Sequence, residues 1–150
     1  MKIYMDNCCF NRILDDRSYA IIYLDSNSVM MILELVENGI IELYGSKMLE
    51  VEISETPDYL KKKKLELMYS LCSHRIKITE EVLERAVEIQ QSTNIREKDS
   101  IHLACAEIEE VDYFITVDKK LKNNANRMPA RIKVVDPTEC LMEVLYGNED

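Results

Sequence analysis

The stretch DYFITVDKKLKNNANRMPARIKVVDPTECLMEVLYG, residues 112–147, decides the fold. It reads strand (DYFITVD), helix (KKLKNNAN), strand (RIKVVD), helix (PTECLMEVLYG), because short β-branched and aromatic runs alternate with helical segments that open on acidic or Pro residues. Strands that alternate with helices build a parallel sheet covered on both faces. In such sheets ligands bind beyond the carboxyl ends of the strands. Asp118, closing the first of these strands, is therefore expected in the crevice.

Working back towards the N-terminus, the same alternation recurs. KIYM is a short buried strand ended by Asp6. SYAIIYLDSNSVMMILELVEN reads as a long helix closed by Gly39, a residue suited to a helix C-terminus. The intervening DNCCFNRILDD reads as a loop. IIELYG is the next strand, and Ser46 is placed to cap the helix KMLEVEISE. Pro57 marks a break before the helix DYLKKKKLELMYSLC, with apolar positions at Leu60, Leu65, Met68 and Leu71. Residues 75–78 suggest a short strand. Thr79 caps a helix running to about residue 91, with Val82, Leu83, Ala86, Val87 and Ile89 as its apolar stripe, and a further helix covers roughly residues 98–109.

Length and composition set the bounds. At 150 residues the chain suits one domain, 1–150, which buries about 68 to 70% of its unfolded surface. Three Gly and three Pro leave little room for long linkers. The five cysteines are odd in number, lie in apolar stretches and show no zinc spacing, which reads as reduced thiols. No signal-like or membrane-spanning segment stands out, so a cytoplasmic protein is expected. With 28 acidic against 19 basic residues, net charge −9, general electrostatic coating of nucleic acid is excluded. A local basic segment remains: Lys119, Lys120, Lys122, Arg127, Arg131 and Lys133 all follow Asp118.

Four acids carry the chemistry: Asp6, Glu52, Asp99 and Asp118. Carboxylates brought together raise one another's pKa unless a divalent cation neutralises them, so their convergence implies a hard-cation site. Helical phase supports Glu52, which at about 100° per residue falls between Met48 and Leu49 on the apolar face, whereas Glu50 turns away. Glu50 and Glu55 remain rivals for that role. Asp6 and Asp118 have turn or capping as their plainer reading, Asp99 the favourable first turn of a helix, and His102, one turn on, that of a packed histidine. Arg12, Lys119, Lys120 and His102 are candidates for contacting substrate.

In this order, with IYMDNCCFNR, DSIHLACAE and DYFITVD, these residues resemble the PIN-domain family of metal-dependent nucleases, along nearly the whole chain. The resemblance implies a three-layer α/β/α sandwich around a parallel sheet. It also implies Mg²⁺ or Mn²⁺ held by Asp6, Glu52, Asp99 and Asp118, and cleavage of RNA. Where many members follow the first aspartate with Thr or Ser, this chain has Asn7 and Cys8. The best-known members are toxins of VapBC-type pairs, so an antitoxin partner and a homodimer are implied too, although DNCCFNRILDD suits a less characterised branch. Two other functions fit parts of the pattern: a non-catalytic PIN-like module binding RNA or protein, and an aspartyl-phosphate phosphatase with Asp6 as nucleophile. The second lacks the further Asp usual two residues on, position 8 being Cys.

Overall fold

A computed structural model describes residues 1–128 and 131–147; of the expected unit 1–150, residues 129–130 and 148–150 lie outside the described part. Alternation along the strands sets the layering. In β1 (Lys2–Met5) the side chains of Ile3 and Met5 enter one apolar cluster and Tyr4 the opposite one. The same division separates Leu43 from Tyr44 in β2 (Glu42–Ser46), Phe114 from Ile115 in β4 (Tyr113–Ile115), and Val134 from Val135 in β5 (Lys133–Val135). Successive side chains point to opposite faces of a strand, so a sheet that is apolar on both needs a helical layer on each. The result is the expected α/β/α sandwich.

All five strands, including β3 (His74–Ile76), are parallel, in the order β3-β2-β1-β4-β5. One face is covered by α1 (Asn7–Arg12), α2 (Ala20–Glu37), α4 (Tyr59–Tyr69) and α8 (Pro137–Tyr146). The other carries α5 (Glu80–Ser92), α6 (Glu97–Ile108) and α7 (Lys119–Arg127). Helix α3 (Lys47–Ser54) sends Leu49 and Ile53 into the first cluster and Met48 towards the second. Chain order runs outward from β1 to β3, then returns to the far side of β1 for β4. That reversal opens a crevice between the carboxyl ends of β1 and β4.

The caps hold the helices in place as their sequences suggest. Ser46, Thr79 and Asp136 accept from the backbone N–H of Leu49, Val82 and Glu139, and the last forms a full capping box with Glu139. Three expectations change. DNCCFNRILDD is not a loop throughout, since α1 forms and buries Cys9 and Phe10. In α5, Val82, Ala86 and Ile89 are buried while Leu83 and Val87 are exposed, because at helical spacing those two lie about 100° off the buried line. In α4, Leu60 is exposed, and Tyr69 joins Leu65 in the core instead. All five cysteines are free thiols. Among the described residues no helix is long and apolar enough to cross a membrane.

Candidate metal and phosphodiester site

The crevice at the β1/β4 switch holds a cavity of about 420 Å³, and all four predicted acids line it. Each arrives from a different element. Asp6 follows β1 directly; Asp118 stands at the N-cap of α7, three residues past the end of β4; Glu52 comes from α3; and Asp99 lies in the first turn of α6. Asn7, Cys8, Asn11, Lys61 and Arg96 complete the wall. Of the three candidate glutamates only Glu52 is there. Glu50 instead accepts from the Tyr69 hydroxyl at 3.0 Å, and Glu55 pairs with Lys98 at 3.7 Å.

Each carboxylate is held by one oxygen. Asp6 makes no side-chain cap to α1; its Oδ2 accepts from Thr116 Oγ1 at 3.0 Å and from Cys8 Sγ at 3.3 Å. Asp118 Oδ1 accepts from the Leu121 N–H at 3.1 Å, so its capping role is real. Asp99 Oδ2 takes two N–H groups of Arg96, at 3.2 and 3.3 Å. Glu52 Oε1 bonds to His102 Nε2. Among the described residues Asp6 Oδ1, Glu52 Oε2, Asp99 Oδ1 and Asp118 Oδ2 make no hydrogen bond.

The electrostatics follow from burial. Asp6 is 7% exposed, and burial lifts its carboxyl above the ordinary range; His102 opposes this, and the charge of Asp99 adds to it. A set of hard carboxylate oxygens in one cavity matches the donor chemistry of Mg²⁺ or Mn²⁺. The match is one of chemistry and placement, since among the described residues no three His, Cys, Asp or Glu side chains are gathered closely enough to hold an ion between them. Arg96 donates to Asp99, and His102 meets Glu52.

The expected substrate contacts are rearranged. His102 is fully buried, and its ring meets Glu52 and Tyr4, so it cannot offer an edge to a bound molecule. Arg12 pairs with Asp25 and Asp15, each at 3.5 Å, and lines a different recess together with Lys119. Lys120 borders a recess of about 230 Å³ that shares Arg96, Asp99 and Asp118 with the main cavity. Among the described residues the cations in the cavity itself are Lys61 and Arg96, neither marked out by local pattern: Lys61 belongs to a run typical of a solvated helix face, and Arg96 merely precedes a helix. A larger recess of about 590 Å³, between α2 and α8, contains none of the four acids.

A family model described as the PIN domain matches residues 3–127. No curated protein matches the chain. Among solved structures, the chain resembles one from VapBC2 of Rickettsia felis, bound there to a DNA fragment from its promoter. The TM-score is 0.62 and the identity 17%, over 91% of this chain and 98% of that one. A chain of a toxin-antitoxin complex from Klebsiella pneumoniae is similar at TM-score 0.60 and 18% identity, with 91% and 98% covered. At these identities the likeness is one of fold.

Proposed function

The chain belongs to the PIN domain family, and from that premise we propose that it is a divalent-metal-dependent endoribonuclease. The observation that carries this reading is the set of four carboxylates, drawn from four elements into one cavity at the sheet's switch point, each keeping one oxygen without a hydrogen bond. Asp6, Asp99 and Asp118 would hold one or two Mg²⁺ or Mn²⁺ ions, with Glu52 a ligand directly or through water. What a cation supplies at such a site is a lower pKa for water and neutralisation of the charge that develops on the phosphate.

The chain's own groups do the rest. Thr116 and Cys8 fix Asp6 in place, so its free oxygen is presented without a search among rotamers. Arg96 and Lys61 flank the acids and bind the phosphodiester, and Lys120 extends that contact into the neighbouring recess. Arg96, which pairs with Asp99, also stands at the cavity wall where a phosphate would meet it. Single-stranded RNA is the favoured substrate, because its backbone and bases are accessible to a shallow acidic cavity with few cations. The toxin-antitoxin assemblies among the structural neighbours support an antitoxin as the protein partner.

The expected outcome is RNA cleavage that EDTA abolishes and Mg²⁺ or Mn²⁺ restores, falling at least about a hundredfold in Asp99→Asn. Cleavage indifferent to both treatments would remove the assignment. Loss of cleavage with Mn²⁺ binding also absent from the wild-type protein would instead favour a non-catalytic module.

A further inference from the structure

Glu52 is tied to the protein by a longer route than the other three acids, through a run of buried side chains rather than a single neighbouring donor. The Leu49 N–H donates to Ser46 Oγ at 3.1 Å, Ser46 Oγ meets the Tyr4 hydroxyl at 2.6 Å, and that hydroxyl meets His102 Nδ1 at 2.5 Å. His102 Nε2 then bonds to Glu52 Oε1. Tyr4, Ser46 and His102 are each 0% exposed, while Glu52 stands at the cavity wall with its side chain 18% exposed. An unbroken line of hydrogen bonds thus runs from the first turn of α3, through β1 and α6, back to a carboxylate on α3.

The roles along this line are fixed by chemistry. A carboxylate only accepts, so Nε2 carries the proton facing Glu52 whether the ring is neutral or cationic. A phenolic hydroxyl can donate one hydrogen bond and accept another, so Tyr4 can link Ser46 to His102 within the chain. The ring of Tyr4 is itself fixed by stacking on Phe114, with centroids 5.4 Å apart and planes 11° from parallel.

Resting on the reading of the cavity as a cation site, we propose that His102, held by Tyr4 and Ser46, is a positioning residue that fixes Glu52 by Oε1 and leaves Oε2 as the oxygen offered to the cation or its water. Glu has one more rotatable bond than Asp, so without such a tether it would be the least ordered of the four donors. Tethering a ligand from behind commonly changes metal affinity by about 10- to 100-fold.

The test is Mn²⁺ calorimetry on the full chain, with melting temperatures recorded for every variant. His102→Leu is expected to weaken Mn²⁺ binding about tenfold or more when Glu52 is present, to add nothing on top of Glu52→Gln, and to be largely reversed in His102→Gln, whose amide can donate to Glu52. Tyr4→Phe, which removes one oxygen and keeps the stacked ring, is expected to weaken binding a few-fold while the protein stays folded at the assay temperature with a lowered melting temperature, and it carries the test if His102→Leu proves unstable. Unchanged affinity in Tyr4→Phe and His102→Leu, or equal losses with and without Glu52, would overturn the proposal. If those variants behave like wild type while Asp6→Ala abolishes binding, only the positioning role falls. If wild type and Asp6→Ala alike take up no Mn²⁺, the cation-site reading falls and this role with it.

Discussion

Asp6 shows what the site costs the fold. Its carboxyl is raised above the ordinary carboxylate range by burial, with His102 opposing and the charge of Asp99 adding to the rise. A raised folded-state value means that Asp6 contributes most to stability below its unfolded pKa and that this contribution is lost as pH rises through the folded one. At neutral pH, with no cation, the ionised group is therefore a liability. In EDTA, Asp6→Asn is expected to melt higher than wild type at pH 7, with the advantage shrinking as pH approaches about 4, since an amide oxygen can still accept from Thr116. A wild type that is the more stable at pH 7 would contradict this. The acids themselves were legible in the sequence, because residue type, strand ends and helical phase are local properties. The cations were not: Arg12 is drawn off by Asp25 from α2, and Arg96 enters the cavity only because α6 begins beside Asp118, a juxtaposition of distant segments that no local pattern carries.

The ends of α2 and α6 are built alike but from different residues. After α2, the Gly39 N–H bonds to Val36 O at 3.0 Å and the Ile40 N–H to Leu35 O at 2.9 Å, with Gly39 at φ +75°. After α6, Glu110 N–H bonds to Glu107 O at 3.1 Å and Val111 N–H to Ala106 O at 3.2 Å, with Glu110 at φ +53°. This paired pattern closes a helix through a left-handed residue, where a side chain costs about 1 kcal/mol or more. Gly39→Ala is accordingly expected to lose about 1 kcal/mol and Glu110→Gly to gain about 0.5 kcal/mol, the relief being partly offset by greater freedom of the unfolded chain. Denaturant melts of the two variants would show opposite signs, and like signs would refute the account. At this scale the sequence was most readable where one residue dictates a terminus, as at Gly39, Ser46 and Thr79. It was least readable in α1, whose six residues are too few for a helical period and whose helix is stabilised by burying Cys9 and Phe10 against the core.

Over the whole molecule, a net charge of −9 repels a polyanion, so under the proposed function RNA binding would depend on the few cations at the cavity. Two of the six basic residues that follow Asp118 are paired, Lys122 with Asp136 and Glu139 and Lys133 with Glu143. Arg96 and Lys61 line the cavity itself, with Lys120 beside it. Each phosphate neutralised on a single strand contributes about −0.7 to the slope of log affinity against log salt, so two or three contacts give a slope near −1.4 to −2. A basic nucleic-acid coat would be far steeper. Arg96→Gln is expected to flatten the slope by about 0.7 and to raise KM. Binding of the protein in EDTA to labelled single-stranded RNA between low and moderate salt, with and without the Arg96 change, measures it directly. An unchanged slope would move the phosphate contact away from the cavity and towards the outer faces of the sandwich.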